Sequence, residues 1–482
     1  MALKRLWASL TTRRLLVVLL FLGIFGRALR EANDPDMWWH LATGRAIVTQ
    51  QEIPKADPFS YTRAGTRWYT HEWLTEVGMF TLYQWGGKAA LIFTAALLIT
   101  LTFWLVYLQC AARPHVAVFL VLAGAFASSV SWGVRPQILT MAGLALCSWL
   151  LERYRQGARW PLWLFPALTV LWTNLHAGFL LGPAFLALNL GGDALALWFK
   201  RSGSRTLTWA RWRALALATL ATLPAAFLNP NGWTMLRYPF DTLTSSAMRS
   251  YIQEWASPNF HDPGLWPFAV VLLGGMAIFA MGRRRLELTD LLTFWGFAAA
   301  GLFSARHIPL FAVLAPPIIS RAIVWDSARI QSVTTRLFLA INWSLLLVAV
   351  LVVGWQFQRV RVQDRQQEAA QYPQAAVAYL RTQGWETRRV FNTYNWGGYL
   401  IWEGLPVFID GRADVYGDAF MLEYLTTYHL TPNWRRPLDK YKVDCVLIES
   451  RSPLATLLLE APEWDQAYQD DVATLFVHER LR

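Results

Sequence analysis

The sequence predicts a polytopic α-helical membrane protein with a soluble α/β domain at its C-terminal end. Of its 482 residues, 55% are hydrophobic and only 16% are charged, whereas a soluble protein carries roughly 25% charged residues. Long uncharged apolar runs recur as far as residue 356, which is typical of membrane-spanning helices. Beyond residue 357 these runs stop, and short helical and strand-like patterns alternate instead.

The net charge of +12 belongs to the apolar part of the chain. Residues 1–357 hold 30 Lys and Arg against 15 Asp and Glu, whereas residues 358–482 hold 14 against 17. Because the basic excess lies between apolar runs, it sets membrane orientation, and we expect no nucleic-acid partner. The three cysteines have no metal-ligand spacing, and we interpret them as packing residues without disulfides.

Eleven apolar runs are candidate membrane spans, and several are shorter than the ~20 residues of a full crossing. The first run also fits a cleaved signal peptide, but the absence of a small-residue cleavage site after it favours a retained span. The runs lie at 15–26, 88–111, 116–133, 137–151, 161–172, 178–199, 214–228, 264–281, 288–303, 308–324 and 337–356.

The basic residues predict the orientation of these spans. With the N-terminus in the cytoplasm, the inner connections hold 19 Lys and Arg, among them Lys4, Arg5, Arg283–Arg285 and Arg329, and the shorter outer loops hold four, including Arg249. This distribution follows the positive-inside rule. The sequence therefore predicts a multi-pass protein of the cell (inner) membrane with a cytoplasmic N-terminus. It divides into a transmembrane domain 1–357, with a long first outer loop 27–88, and an extracytoplasmic α/β domain 358–482.

Within the C-terminal domain, sequence patterns predict individual elements. Residues 372–383, 418–428 and 452–460 have helical patterns. Strand-like runs lie at Val390–Asn392, Pro406–Ile409, Val443–Ile448 and Thr474–Val477.

The stretch from Asn33 to His40 concentrates unusual chemistry directly after the first apolar run. It contains Asp34, Asp36, two tryptophans and His40 within eight residues. The tryptophans fit an interfacial aromatic belt, but two acids beside them at a membrane boundary have no obvious folding role. In an extended segment, Asp34 and Asp36 would point to the same face.

Other polar clusters map to the same outer face in this topology. His71 and Glu72 also fit a helix cap, and Arg306 with His307 fits either a charged loop end or a lipid-phosphate contact. If one active site exists, one outward cavity should be lined by Asp34, His71, Arg135, His176, Glu254 and Arg306. The candidates are His40, His71, Glu72, Arg135, His176, Glu254, Arg306 and His307, together with Asp34 and Asp36.

The run Asn33-Asp34-Pro35-Asp36-Met37-Trp38-Trp39-His40 resembles the first outer loop of oligosaccharyltransferase catalytic subunits. These belong to the GT-C class of membrane glycosyltransferases, which use polyprenyl-linked sugar donors. The likeness continues through Pro54 and Asp57-Pro58-Phe59 to Gly65. It implies a GT-C-like fold, an essential acid at Asp34 and a second candidate acid at Asp36.

A looser resemblance lies in the C-terminal domain. Tyr394-Asn395-Trp396-Gly397-Gly398-Tyr399, followed by Pro406 to Gly411, is similar to the acceptor-binding WWDYG stretch of that class. The resemblance implies acceptor contacts from Trp396, Tyr399, Asp410 and Arg412. The chain departs from the pattern in two places. Gly397 and Gly398 stand at the third and fourth positions of the motif, so its acid is missing, and the second outer loop, Trp132 to Gln137, lacks the second acidic pair of that class. Both departures argue against peptide N-glycosylation.

The leading hypothesis is a glycosyltransferase that moves a sugar from a polyprenyl-phosphate donor to an unknown glycan, lipid or protein acceptor, among membrane lipids. Asp34 would act on the acceptor, Arg306 and Arg135 would hold the phosphate, and Glu254 would complete the site. Alternatively, Mn²⁺ or Mg²⁺ would bridge the phosphate to Asp34 and Asp36, so the metal question stays open. The rival hypothesis is a non-catalytic scaffold or lipid carrier with Asp410–Gly417 as its ligand loop.

Overall fold

The computed structural model describes residues 10–201, 203–244, 253–282, 286–323 and 335–481. The basic residues Lys4, Arg5, Arg249, Arg283–Arg285 and Arg329, which enter the orientation argument, lie outside these ranges. The chain forms two compact units. The helical unit comprises residues 1–30, 92–236 and 254–360, and the mixed unit comprises residues 31–91, 237–253 and 361–482. The predicted boundary at residue 357 concerns membrane topology and stays a prediction.

Helices account for most of the described chain, and we number them in chain order. The helices up to the end of the last apolar run are α1 (Thr12–Ala28), α2 (Asp36–Gln50), α3 (Trp73–Gln109), α4 (Pro114–Ser128), α5 (Gln137–Arg155), α6 (Pro161–Leu175), α7 (Leu181–Trp198), α8 (Trp209–Ala225), α9 (Thr234–Thr244), α10 (Trp266–Met281), α11 (Leu288–Phe303), α12 (Ile308–Ala322) and α13 (Arg336–Gln371). Short helices follow: α14 (Gln374–Thr382), α15 (Gly397–Trp402), α16 (Ala413–Tyr428), α17 (Arg435–Lys440) and α18 (Pro453–Leu459).

Each of the eleven predicted apolar runs coincides with a helix. Five helical stretches in the described part are long and apolar enough to cross a membrane: Trp73–Gln109, Pro114–Ser131, Ala177–Trp198, Pro263–Met281 and Leu337–Gln371. This composition is that of a membrane protein. The other candidates are helices of 15–19 residues, and the count of eleven crossings stays a prediction.

Helix α12 forms the centre of the helical unit. All of its side chains except that of Arg321 are buried, and α4, α5, α10 and α11 pack around it. A helix that is apolar on every side belongs inside a bundle. Near its end, Arg321 donates two hydrogen bonds of 2.9 and 2.7 Å to Asp290.

The ends of α5, α7 and α11 are joined by one fully buried ion pair and two partly buried ones. Arg155 forms a two-pronged pair with Asp193 at 3.1 and 2.9 Å, and both side chains are almost fully buried. Arg205 pairs with Asp290 and with Glu152. Removing one partner of such a pair leaves a buried charge, which typically costs about 3–5 kcal/mol. This geometry gives Asp193 a helix-packing role.

The mixed unit contains one four-stranded sheet in the order β1-β2-β4-β3. The strands are β1 (Val390–Asn392), β2 (Cys445–Glu449), β3 (Trp464–Gln469) and β4 (Ala473–His478). β1 and β2 are parallel, and the other two pairings are antiparallel. The predicted helices and three of the predicted strands are present. The fourth, Pro406–Ile409, forms only isolated bridges through Val407, and β3 was not predicted.

The segment from Asp34 to Asp36 is not extended, so the condition under which the two aspartates would share a face is not met. Pro35 has helical angles (φ −58°, ψ −29°), and α2 begins at Asp36. Proline suits the start of a helix because its φ is already helical and its missing N–H is not needed there. Asp36 in the first turn also complements the helix dipole.

Candidate active site

The two aspartates of the first loop form a fixed turn at the start of α2. The backbone N–H of Asp36 donates to Asp34 Oδ1 at 2.9 Å, and the indole N–H of Trp39 donates to Asp36 Oδ1 at 3.0 Å. Both carboxylates are half-buried. The turn therefore holds Asp34 in one orientation while part of its side chain reaches the surface of the unit.

The N-terminal end of α2 is packed against glycines of the C-terminal part of the same unit. A Cβ atom at Gly411 would lie 1.8 Å from Asp36 Oδ1, and one at Gly398 would lie 2.6 Å from the carbonyl oxygen of Pro35. A side chain at either position would displace the aspartate turn. The missing acid of the motif belongs to Gly397, the third position, where a Cβ atom would lie 2.2 Å from the carbonyl oxygen of Ile409. A close backbone contact therefore leaves no room for an acidic side chain there.

A chain of buried titratable groups continues from α2. His40 Nδ1 lies 3.2 Å from Glu76 Oε1, and His40 Nε2 lies 3.5 Å from Glu72 Oε2. The second oxygen of Glu72 lies 3.6 Å from His71 Nε2. His40, Glu72 and Glu76 are all less than a tenth exposed. The structure thus brings together the predicted residues His40, His71 and Glu72, and it adds Glu76.

The environment of His71 includes groups that the sequence analysis missed. Its Nδ1 lies 3.1 Å from the carbonyl oxygen of Tyr69, and its Nε2 lies 3.4 Å from the hydroxyl of Tyr238. Burial opposes protonation, but Glu72 outweighs it, so the pKa of His71 is raised. Burial also raises the pKa of Asp414, against the opposing effects of His71 and Arg412. No sequence spacing connects these residues, because they come from three separate segments.

Asp410 and Arg412 form a closed network in the core of the mixed unit. Arg412 donates to Asp410 at 2.8 and 2.7 Å, and its Nη1 lies 2.7 Å from Asp57 Oδ1. The hydroxyl of Tyr416 donates to Asp410 Oδ2 at 2.5 Å. All three charged side chains are fully buried. Acceptor binding by Asp410 and Arg412 stays a prediction, and the geometry gives both residues a structural role.

Trp396 and Tyr399 are also mainly internal. Trp396 is 3% exposed and donates its indole N–H to the carbonyl oxygen of Gln371 at 2.8 Å. Tyr399 is 5% exposed and packs against Tyr372 and Trp38. The acceptor contacts that the resemblance implied for these two residues are untested.

In the helical unit, two of the predicted arginines meet one glutamate. Glu254 Oε1 pairs with Arg135, and Glu254 Oε2 lies 3.7 Å from Arg306 Nη1. The guanidinium of Arg306 also lies 5.1 Å from the ring centroid of Trp255. All three charged side chains are about a quarter to a third exposed. A cluster of two guanidinium groups that retains partial exposure can bind a phosphate.

Short backbone contacts hold this cluster in place. Ser304 Oγ donates to the carbonyl oxygen of Glu254 at 3.0 Å, and the N–H of Ala305 donates to the carbonyl oxygen of Ala256 at 3.0 Å. The turn that carries Arg306 is therefore fastened to the turn that carries Glu254.

The two other candidate histidines, His176 and His307, have different surroundings. His176 is buried, and its Nδ1 accepts from the N–H of Gly178 at 2.9 Å and lies 2.7 Å from Thr140 Oγ1. For His307, burial and the neighbouring Arg306 lower the pKa, so the imidazole is neutral near pH 7. Substrate binding by either histidine stays a prediction.

The candidate residues thus fall into two sets, one in each unit, and their predicted convergence in one cavity is not tested. Among the residues that the structure describes, no group of three or more His, Cys, Asp or Glu side chains is arranged to hold a metal ion. The Asp34 turn supplies oxygen ligands, but Asp36 already accepts the Trp39 indole.

Comparisons with known proteins give the class of fold. No family model matches the sequence, and no curated protein does either. Solved membrane glycosyltransferases of the GT-C class do share the fold. The chain therefore has the GT-C fold, as the first-loop resemblance predicted.

Three solved structures illustrate this similarity. The oligosaccharyltransferase AglB from Archaeoglobus fulgidus has a TM-score of 0.54 and 13% identity, over 90% of this chain and 69% of that chain. ArnT from Cupriavidus metallidurans has a TM-score of 0.53 and 14% identity, over 96% and 97% of the two chains. The arabinofuranosyltransferase AftD from Mycobacteria has a TM-score of 0.50 and 12% identity, over 98% and 40%.

Ligands are present in some of these relatives. One AglB structure contains an inhibitory peptide and a dolichol phosphate, and the ArnT structure contains undecaprenyl phosphate.

Proposed function

We propose that this protein is a GT-C-type glycosyltransferase that uses a polyprenyl-phosphate-linked sugar on the outer face of the membrane. The observation that carries the proposal is the aspartate turn: Asp34 lies half-buried at the start of α2, held by the N–H of Asp36, in a chain with the GT-C fold. The solved structures of similar fold that contain polyprenyl or dolichol phosphates support the donor class.

The proposed reaction is a displacement at the anomeric carbon of the donor. Asp34 takes the proton of an acceptor hydroxyl, and the acceptor oxygen forms a bond to the anomeric carbon. The bond from that carbon to the phosphate oxygen breaks, and polyprenyl phosphate leaves with the bonding electrons. In the helical unit, Arg135 and Arg306 neutralise the leaving phosphate. The assignment to the outer face rests on the predicted orientation of the spans, which follows from the basic residues of the inner connections.

The test is sugar transfer by purified full-length protein in lipid nanodiscs, with a panel of labelled polyprenyl-phosphate sugars and mixed glycan, lipid and peptide acceptors. Wild type should release polyprenyl phosphate, and Asp34→Asn should lose most of this activity because an amide cannot take the proton. Glu31→Gln, a change of another half-buried acid in the same loop, should retain it.

Two results would oppose the proposal. Donor binding without turnover would favour a lipid carrier, and near-normal turnover by Asp34→Asn would make the turn structural. Chelation separates the two roles left open for Asp34. If EDTA abolishes transfer and Mn²⁺ or Mg²⁺ restores it, Asp34 acts through a metal ion, and the base role is wrong.

A further inference from the structure

A polar groove opens in the mixed unit, near the carboxyl ends of the parallel strands β1 and β2. Two cavities of about 420 and 360 Å³ share Glu449 and Arg451. Both volumes lie in the range of roughly 300–1,000 Å³ that is typical of small-ligand sites. Ligands of α/β folds usually bind at the carboxyl ends of the parallel strands, which is where this groove lies.

The carboxylate of Glu449 is held at the junction of the two cavities. Thr393 Oγ1 donates to Glu449 Oε2 at 2.7 Å, and the Tyr428 hydroxyl donates to Oε1 at 3.4 Å. Burial and the nearby Glu449 raise the pKa of Tyr428 to about 12, so the phenol keeps the proton that it donates. Glu449 is half-buried, and it therefore presents a fixed acceptor to the groove.

The loop that carries Asp471 is fixed by its neighbours. Ser450 Oγ donates to the carbonyl oxygen of Asp470 at 2.7 Å, and Thr474 Oγ1 donates to Ser450 Oγ at 2.9 Å. The side chain of Asp470 accepts from the N–H groups of Val472 and Ala473 at 2.8 and 2.7 Å. Asp471 itself is exposed and lines the larger cavity. The groove is thus preformed on this side.

The groove contains charged side chains of both signs, and two of them form no ion pair within the described ranges. Arg451 lines both cavities and is exposed, and neither Arg451 nor Asp471 takes part in an ion pair within the described ranges. Asn395 and Gln371 add amide groups to the larger cavity, which therefore offers both donors and acceptors. Two carboxylates against one guanidinium disfavour an anionic ligand, and the guanidinium disfavours a metal ion.

We propose that this groove binds a neutral oligosaccharide. Sugar hydroxyls donate and accept hydrogen bonds at once, so they match a wall of carboxylate, amide and guanidinium groups. The rings of Tyr428 and His429 in the smaller cavity offer faces to the apolar side of a sugar. An extended peptide usually binds by adding to the edge of a sheet, whereas this groove lies at strand ends.

The groove is separate from the residues proposed for sugar transfer, since neither Asp34 nor the two arginines line it. A groove that binds sugar but lies apart from the residues proposed for transfer fits an acceptor glycan or a glycan chain that is being extended. This assignment of the bound sugar as acceptor rests on the proposed function. The binding itself is measured without any donor, so the two proposals fail separately.

The experiment is saturation-transfer NMR on full-length protein in nanodiscs, with maltotetraose, cellotetraose, mannotetraose and chitotetraose as probes. At least one probe should bind, and the double variant Arg451→Ala/Asp471→Asn should weaken its binding at least about tenfold. The matched control is Arg436→Ala/Asp439→Asn, which changes another exposed Arg and Asp on or beside α17, away from both cavities. It should bind as wild type does.

Three results would overturn the proposal: no binding of any of the four probes, equal binding by the groove variant, or equal loss in the control. Binding of an uncharged capped tetrapeptide that the groove variant loses, with no sugar bound, would assign the groove to a peptide instead. Sugar binding by a protein that shows no transfer would leave the groove as a glycan-binding site and reject only the glycosyltransferase proposal.

Discussion

Gly411 and Asp36 stand so close that a methyl group on Gly411 would lie 1.8 Å from Asp36 Oδ1. Asp36 forms the first turn of α2 and binds the Trp39 indole, and its own N–H holds Asp34. The position of the proposed base therefore depends on the absence of a side chain at residue 411.

We expect Gly411→Ala to destabilise the protein by about 1–3 kcal/mol, the usual effect of overpacking, and to reduce sugar transfer by displacing the aspartate turn. Thermal unfolding and the transfer assay measure the two effects. Gly78→Ala is the control, because a Cβ there meets nothing within 4 Å. Unchanged transfer by Gly411→Ala would show that the turn tolerates displacement and would weaken the role of Asp34.

Arg412 gives a second test of structure against function. Its charge is buried between Asp57 and Asp410, so Arg412→Met should destabilise the protein by about 3–5 kcal/mol. Arg381→Ala removes a half-exposed pair with Glu403 and should cost less than ~1 kcal/mol. If Arg412→Met instead unfolds like wild type and only raises KM for the acceptor, Arg412 binds substrate as the resemblance implied.

Sequence patterns predicted the elements that have continuous apolar runs or clear strand-like patterns. The eleven apolar runs appear as helices, and Val390–Asn392 and Thr474–Val477 appear within strands. Helix α2 was not predicted, because its buried residues cover more than one side of the helix and hide the helical period. From Met37 to Gly44 every residue is buried, which a two-sided contact produces and an amphipathic surface helix does not.

The candidate site shows the same limit. Asp34, His40, His71 and Glu72 were found because they lie in two short polar clusters. Glu76 falls one turn into a long apolar helix, and Asp414 lies far along the chain, so only tertiary packing reveals their place. Gly397 did have a signal in the sequence, since glycine in place of the acid of a motif indicates close approach of another part of the backbone, here Ile409.

The basic residues of the connections predict a third outcome. A reporter that works only after export, fused after Arg482, should be active, and one fused to the loop at 283–285 should not be. A cytoplasmic reporter should show the opposite pattern. Cytoplasmic activity after Arg482 would reverse the orientation and place the C-terminal domain inside.

The raised pKa of His71 predicts a pH dependence of stability. A folded-state pKa above the unfolded value of 6.5 means that the folded protein binds the proton more tightly. The resulting stabilisation is fully present below pH 6.5 and is lost as the pH rises through the folded pKa. Glu72 is the group whose charge maintains it, with Asp414 also contributing.

The difference in melting temperature between wild type and His71→Gln should therefore shrink as the pH is raised from about 6 to about 9. Thermal unfolding followed by tryptophan fluorescence measures this difference. His261→Gln, a change of an exposed histidine, serves as the control and should track wild type throughout. A constant difference for His71→Gln would show that His71 stabilises the unit as a neutral group.

Glu254 has two possible roles that the sequence does not distinguish: it takes part in the chemistry, or it competes with the lipid phosphate for the arginines. The sequence predicts that Glu254 completes the catalytic site, and in the structure its two oxygens face Arg135 and Arg306. In that position Glu254 pairs with the two guanidinium groups that are proposed to bind the lipid phosphate. If the arginines bind the lipid phosphate as proposed, we expect the Glu254 carboxylate to compete with it.

We expect Glu254→Gln to bind polyprenyl phosphate roughly two- to fivefold more tightly, because removing a partly exposed ion pair is worth up to ~1 kcal/mol. Arg306→Ala should weaken the same binding, and the double variant should lie between the two. Binding of polyprenyl phosphate to protein in nanodiscs is the measurement, and kcat for transfer is the second readout. If Glu254→Gln leaves lipid-phosphate binding unchanged but abolishes kcat, Glu254 takes part in the chemistry, and the competing-anion role is wrong.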